Sequence, residues 1–301
     1  MLSVLKPRVS TGILLFILVI ALMVLVAAPL QYHWGMIGLA VTELMFLVFA
    51  VGFALLLKGR LKEVFPIKKP RLRQIFGVIV LWVGGYIAVI AANIVIAYFF
   101  PQEMDGVSNA MIELFQSLPY IVTFFIVAVM PAVCEEVLHR GLILYTFKNV
   151  QNKWIIVAVM GIIFGIFHLD PVRFLGTAIL GAVLTYIMIE TKNILLPMLL
   201  HFINNAFSLL PSLLITAPPV EMEIDVTLRL ASVGILLLIS AVAPFVFLGG
   251  SRLLLSKEDS RTNPISKRVL TITIVATVVL VVIGLGVTTV GLLEFMAEFP
   301  L

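Results

Sequence analysis

Three short motifs that contain polar side chains interrupt apolar stretches of this sequence. They are Glu135, Glu136 and Arg140 in the first stretch, Phe164 and His168 in the second, and His201 and Asn205 in the third. A carboxylate shielded from water is a competent general base near neutral pH, and an imidazole can orient the same water or protonate a leaving amine. A second imidazole and a side-chain amide can donate hydrogen bonds to the oxyanion of a tetrahedral intermediate. The set therefore contains the parts for hydrolysing an amide.

Helical spacing separates the two acids. Glu136 and Arg140 are four residues apart with the acid first, which is the favourable order for an ion pair on a helix. Glu135 points about 100° away from Glu136, so the two carboxylates face different neighbours. One acid can be held by the arginine while the other faces a cavity. The alternative is that the three charges form a buried network that only fixes helix packing.

The same atoms also fit a zinc site. Glu135, His168 and His201 would be the ligands, and the fourth position would be left for water. Residue types alone do not decide between zinc and metal-free chemistry. Other intramembrane protease chemistries lack their parts, because the sequence has no His-Glu-x-x-His, no paired aspartates in separate apolar runs and no Gly-x-Ser-x-Gly.

The elements that position these residues are membrane helices. The chain has 301 residues, of which 62% are hydrophobic and 12% charged, and its mean hydropathy is +1.19. Soluble domains contain about 25% charged residues, so a soluble domain, a disordered chain and a nucleic-acid binder are all excluded. The single cysteine, Cys134, excludes an intramolecular disulfide and a four-cysteine zinc site. We expect an all-α, polytopic transmembrane helical bundle.

About nine apolar runs approach the length of about 20 residues that a bilayer crossing needs. The fifth and sixth runs are short, and they could be two tilted helices or two pieces that break near Asp170 and Pro171. The runs are Thr11–Leu30, Trp34–Leu57, Ile75–Phe100, Leu118–Val137, Trp154–His168, Leu175–Ile189, Ile194–Ile215, Leu228–Leu248 and Leu270–Leu292.

Loop charges predict a cytoplasmic N-terminus, because cytoplasmic loops are rich in Lys and Arg. With nine spans, every Lys and Arg except Arg140, Arg173 and Arg229 falls in an inside segment. The inside segments contain Lys6 and Arg8; the basic residues of 58–73; Lys148 and Lys153; Lys192; and Arg252, Lys257, Arg261, Lys267 and Arg268. The outside segments are acidic and contain Glu103, Asp105, Glu113, Glu221, Glu223, Asp225, Glu294 and Glu298.

Depth in the membrane links the three polar groups. At 1.5 Å per residue, Glu135, His168 and Asn205 lie about 20, 22 and 18 Å from the cytoplasmic ends of their helices. Ionisable side chains inside a span cost about 2.5–3.5 kcal/mol each, so they indicate function by default. Polar groups that served only packing would have no reason to share a depth. We therefore expect the fourth, fifth and seventh runs to meet around one hollow.

The motifs Glu-Glu-x-x-x-Arg, Phe-x-x-x-His and His-x-x-x-Asn on successive membrane helices resemble those of the CPBP family. This family comprises the Rce1-like CAAX prenyl endopeptidases and their prokaryotic Abi relatives. The resemblance covers residues 119–208 and rests on three motifs in the order of the family. It implies an intramembrane endopeptidase of the glutamate type, with metal dependence as the alternative. The implied roles are water activation for Glu135 and His168, oxyanion stabilisation for His201 and Asn205, and support of the site for Glu136, Arg140 and Phe164.

This resemblance also implies the setting of the protein. We expect three N-terminal helices in residues 1–117, a catalytic core in 118–215 and two C-terminal helices in 216–301. The expected partners are the lipid bilayer and a membrane-associated protein or peptide substrate, without nucleic acid, in the plasma membrane of a prokaryote. No cofactor is expected, with zinc as the alternative. The prenylated substrates of eukaryotic members do not carry over, and the oligomeric state is not predicted.

Two other functions stay open. In a binding or scaffold protein, the same residues would hold a lipid headgroup or a partner without turnover. In a proton-coupled transporter they would form a relay, although the sequence has no matching broken helices in two halves. Glu43 stands alone in the second run, where it could line the cavity or bond a neighbouring helix. Cys134 adjoins Glu135, and we interpret it as a buried thiol rather than a nucleophile.

Overall fold

The computed structural model of the chain describes residues 7–214, 230–255 and 265–298. All regular elements in these ranges are helices, which confirms the all-α prediction. Several charged residues of the predicted loops lie outside the described residues, namely Lys6, Glu221, Glu223, Asp225, Lys257 and Arg261, and so does Arg229 at the start of the eighth run.

Twelve helices make up the described part of the chain. They are α1 (Val9–Leu56), α2 (Leu61–Val64), α3 (Leu72–Phe99), α4 (Pro101–Gln116), α5 (Tyr120–Thr146), α6 (Lys153–Phe167), α7 (Phe174–Thr191), α8 (Leu195–Ser208), α9 (Leu210–Leu214), α10 (Leu230–Ser240), α11 (Ala243–Leu254) and α12 (Lys267–Glu298).

The described helices are those of a multi-pass membrane protein. Seven helical segments are long and apolar enough to cross a bilayer, and α6 is a shorter apolar helix. Many large apolar side chains on these helices face outward, as expected where the surroundings are lipid rather than water. The count of nine spans, the cytoplasmic N-terminus and the division at residues 118 and 216 stay predictions.

A break at Gly35 divides α1. Its 48 residues would measure about 72 Å as a straight helix, whereas the hydrocarbon core is about 30 Å thick. Gly35 has φ 51° and ψ −126°, a conformation that glycine adopts without a steric clash. The predicted run Thr11–Leu30 precedes this break, and the predicted run Trp34–Leu57 begins one residue before it.

The segment expected to be an acidic outer loop is helical instead. It forms α4, which has Pro101 in its first turn and Glu103 close behind. Proline at the first helical position and an acid near the N-terminus both favour helix initiation. The side-chain amide of Gln116 donates a hydrogen bond to the Ser212 carbonyl at 3.1 Å, which joins α4 to α9.

α5 is the most buried of the candidate spans in the described ranges. α1 and α8 pack against it, while α6 and α7 form a hairpin that packs against α3 through α7. Lys153 and Glu190 close the open end of this hairpin with an ion pair at 2.6 Å. The hairpin turn holds Asp170, whose carboxylate accepts hydrogen bonds from the backbone N–H groups of Val172 and Arg173. The two short runs are therefore two separate helices, α6 and α7, joined by a turn at Asp170.

Three of the predicted inside loops meet at one end of the bundle. The backbone N–H of Lys68 donates to Asn193 Oδ1 at 3.1 Å, and Asn193 Nδ2 donates to the Lys68 carbonyl at 2.9 Å. The Arg73 guanidinium donates to the carbonyl of Arg252 at 3.0 Å. These contacts put the loops on one side, as the predicted topology requires.

Candidate active site

A proline sets the local geometry of α5 before its two acids. The turns Phe125–Val129 and Val137–Ile143 are π-helical, on either side of the α-helical turn Met130–Glu136. Pro131 has no N–H and cannot donate the helical hydrogen bond to the carbonyl of Val127, four residues earlier. Single π turns of this kind occur often at functional sites of helices.

Asn205 on α8 donates a hydrogen bond to the Val127 carbonyl, the group to which Pro131 cannot donate. Its Nδ2 donates to the Val127 oxygen at 3.0 Å, and its Oδ1 accepts from Asn204 Nδ2 at 3.4 Å. A primary amide has two N–H donors. One N–H of Asn205 therefore braces α5, and the other is the one that an oxyanion could use.

Glu136 joins α5 to α8 through one carboxylate oxygen. Its Oε1 accepts from Arg140 Nη1 at 2.7 Å and from His201 Nδ1 at 2.9 Å. The three side chains are almost entirely buried, with 0% exposure for Glu136 and 1% for Arg140. Arg140 Nη2 also donates to the Gly181 carbonyl on α7 at 2.9 Å. The predicted pairing of Glu136 with Arg140 is confirmed, and it is part of a network that spans three helices.

Phe164 on α6 packs between the cationic and imidazole groups. The Arg140 guanidinium carbon lies 4.4 Å from the centre of its ring, a cation–π distance. A methyl group at Gly181 would approach Phe164 Cβ to 2.5 Å, so only glycine allows α6 and α7 to be this close. Gly181 thus lets α7 pack closely against Phe164, whose ring covers the Arg140 guanidinium.

Glu135 faces the other nitrogen of the α8 histidine. Its Oε2 lies 4.0 Å from His201 Nε2, too far for a direct hydrogen bond. The carboxylate is 7% exposed, and no N–H or O–H group of the described chain donates to Oε2. This oxygen therefore has lone pairs that no protein donor uses.

The hydrogen bonds of His201 constrain its protonation state. The Nδ1 atom carries a hydrogen because the Glu136 carboxylate can only accept. In the neutral ring, Nε2 is then an acceptor, and it becomes a second donor only when the ring is protonated. Donation from His201 to an oxyanion therefore requires the imidazolium, whose charge Glu135 and Glu136 would balance.

His168 stands at the end of α6 with its tautomer set by the backbone. Its Nδ1 lies 2.8 Å from the Phe164 carbonyl and donates to it, so Nε2 of the neutral ring has a free lone pair. In the described part of the chain no hydrogen bond or ion pair joins it to Glu135. Instead the two imidazoles share Phe164, whose ring centre lies 4.9 Å from that of His168 and 5.8 Å from that of His201.

The zinc alternative can be tested on these positions. A zinc ion binds its nitrogen and oxygen ligands at about 2.0–2.2 Å, so the ligand atoms must converge on one point. Among the described residues no three His, Cys, Asp or Glu side chains converge in this way. Glu135, His168 and His201 as placed do not fit a zinc ion, and no step below passes through a metal.

Two further polar residues, His139 and Glu43, lie next to Glu135. His139 bonds the backbone carbonyl of Glu135 at 2.9 Å rather than its carboxylate, and its ring meets the edge of Phe167 with a centroid distance of 4.6 Å. Glu43 is 2% exposed and interacts with the Glu135 side chain. In the sequence, Glu43 is marked as a candidate site residue only by being an acid inside an apolar run. Cys134 is a buried free thiol, as expected.

Comparison with known families agrees with the motifs. Residues 117–207 match the family model described as type II CAAX prenyl endopeptidase Rce1-like. The matched segment contains Glu135, His168, His201 and Asn205, whereas Glu43 precedes it. No curated protein and no solved structure matches the chain. The family that is matched indicates a CAAX-type protease.

Proposed function

We propose, from the Rce1-like domain at residues 117–207, that this membrane protein is an endopeptidase that cleaves a peptide bond at or within the bilayer. The observation that carries the proposal is the position of Glu135. Its buried Oε2 has no protein donor and lies 4.0 Å from His201 Nε2, a separation that a single oxygen atom hydrogen-bonded to both groups can bridge. The substrate class is a membrane-associated protein or peptide, and the proposed location is a prokaryotic plasma membrane.

In the first proposed step, Glu135 acts as the general base. Its Oε2 takes a proton from water while the water oxygen bonds to the carbonyl carbon of the substrate, and the carbonyl oxygen becomes an oxyanion. The free Nε2 of His168 is proposed to orient the same water. When the C–N bond breaks, the proton on Glu135 passes to the leaving nitrogen, and the products are a carboxylic acid and an amine.

The oxyanion would be held from α8. Protonated His201 offers its Nε2–H, and Asn205 offers the N–H that does not bond Val127. Donors aimed at a developing oxyanion each contribute about 10²–10³-fold to kcat in acyl-transfer enzymes. Glu136 supports this role because it fixes the ring orientation of His201.

The experiment that tests this function compares new protein N-termini in two membrane proteomes. One strain expresses the wild-type protein and the other expresses Glu135→Gln at equal abundance. We expect a set of N-termini that is present only with the wild-type protein and that maps to membrane-proximal sites. Identical sets of N-termini would contradict the proposal and favour a binding protein that works without turnover.

A second measurement addresses the metal. Because the three candidate ligands do not converge in the described chain, we expect purified protein to retain its turnover after treatment with a strong zinc chelator. The substrate would be a peptide that spans a cleavage site found in the proteome comparison. Loss of turnover with chelator and its recovery with added zinc would show that the site rearranges around a metal.

A further inference from the structure

Glu43 is an acid from outside the family-matched segment that lies in the candidate active site. It belongs to the part of α1 that follows Gly35 and packs against the Met130–Glu136 turn of α5. The side chain is 2% exposed. An acid inside a membrane span is costly, and such residues generally pair with another polar group.

The partner of Glu43 is another acid. The side chains of Glu43 and Glu135 interact, and Oε2 of each is buried with no N–H or O–H donor from the described chain. A hydrogen bond between two carboxyl groups needs one proton between them, because ionised carboxylates only accept. No described Lys, Arg or His forms an ion pair with Glu43.

A purely structural role does not account for this pairing. Polar residues that join membrane helices commonly pair with an amide, a hydroxyl or a backbone group. The neighbouring residue Thr42 does so, since its hydroxyl donates to the Gly38 carbonyl at 2.8 Å within the same helix. Glu43 instead contacts the carboxyl group to which the proposed function assigns water activation.

We propose that Glu43 is a positioning residue for Glu135, an inference that rests on the proposed peptidase function. It holds one oxygen of the Glu135 carboxyl group by a hydrogen bond, so that the other oxygen faces the water and the substrate. The N-terminal helices therefore supply part of the site. An error of about 1 Å in the position of a reacting group can lower the rate about 100-fold.

Two substitutions separate this role from a structural one. Glu43→Gln keeps an N–H that can donate to Glu135, whereas Glu43→Leu has the volume but no donor. We expect Glu43→Leu to lower kcat about 10–100-fold with KM nearly unchanged, and Glu43→Gln to keep most of kcat. Leucine is favourable inside a span, so Glu43→Leu should also raise the melting temperature in detergent. Thr42→Val is the matched control, and it should leave kcat unchanged.

The measurement is steady-state cleavage of a peptide that spans a membrane-proximal cleavage site, together with thermal unfolding of each variant and of Glu135→Gln. Full kcat in Glu43→Leu would overturn the inference. A Glu43→Gln variant as slow as Glu43→Leu, or an equal loss in Thr42→Val, would also overturn it. If wild-type protein and Glu135→Gln process the peptide equally, the peptidase function itself fails, and the role of Glu43 falls with it.

Discussion

Glu135→Gln is expected to lower kcat for peptide cleavage by about 10²–10⁴-fold, the usual contribution of a general base. Glutamine has nearly the same shape as glutamate but cannot take a proton from water. KM should change little, because Glu135 acts on the water rather than on the bound substrate. The variant should fold at least as well as the wild-type protein, since it removes a buried acid from a site with a second acid beside it. Single-turnover and steady-state kinetics in proteoliposomes would measure both parameters.

The neighbouring thiol provides the control for this prediction. Cys134 is buried beside Glu135 on the same helix and has no part in the proposed reaction. Cys134→Ala should therefore keep kcat. Turnover near the wild-type level in Glu135→Gln would refute the general-base role, and a similar loss in Cys134→Ala would point to damaged packing instead.

Glu136→Leu should lower the free energy of unfolding by about 3–5 kcal/mol, the range seen when one partner of a buried ion pair is removed. The substitution leaves the Arg140 guanidinium, 1% exposed, without its anion, and it frees His201 Nδ1 as well. Adding Arg140→Leu to Glu136→Leu should recover most of the stability, because the buried charge is then gone. Reversible unfolding in mixed detergent micelles would give these free energies.

A more exposed ion pair offers the matched comparison. The side chains of Lys153 and Glu190 are 42% and 17% exposed, and exposed pairs contribute about 0–1 kcal/mol. Glu190→Leu should therefore destabilise the protein much less than Glu136→Leu. If Glu136→Leu lowered the free energy of unfolding as little as Glu190→Leu does, Arg140 would have found another partner in the absence of Glu136. Glu136→Leu and the double variant with Arg140→Leu should both lack peptidase activity, since His201 loses the carboxylate that orients it.

Helical periodicity was sufficient to predict part of the site. The four-residue spacing of Glu136 and Arg140 predicted their ion pair, which is present at 2.7 Å. The rotation of about 100° between adjacent helix positions predicted different neighbours for the two acids, whereas both approach His201, Glu136 at Nδ1 and Glu135 at Nε2. The ion pair depends on one helix alone, which is why a local rule predicts it, whereas the shared histidine depends on how α8 meets α5.

Contacts between distant helices could not be predicted from the sequence. The Asn205 amide braces the Val127 carbonyl because Pro131 lacks an N–H, and this requires knowing which face of α8 meets α5. Glu43 reaches Glu135 because the part of α1 that follows Gly35 packs against the Met130–Glu136 turn of α5. An isolated acid in an apolar run signals function, but it does not identify its partner.

The position of Glu136 and Arg140 on a single helix has a consequence for biosynthesis. A helix passing from the translocon into lipid must balance its charges before later segments have been synthesised, and lone charges cost about 2.5–3.5 kcal/mol each. The pair within α5 can form in the nascent chain at that stage. His201 arrives only when α8 follows. The polypeptide can thus insert its acids early, while the assembled centre stays incomplete until the last helix of the domain has left the ribosome.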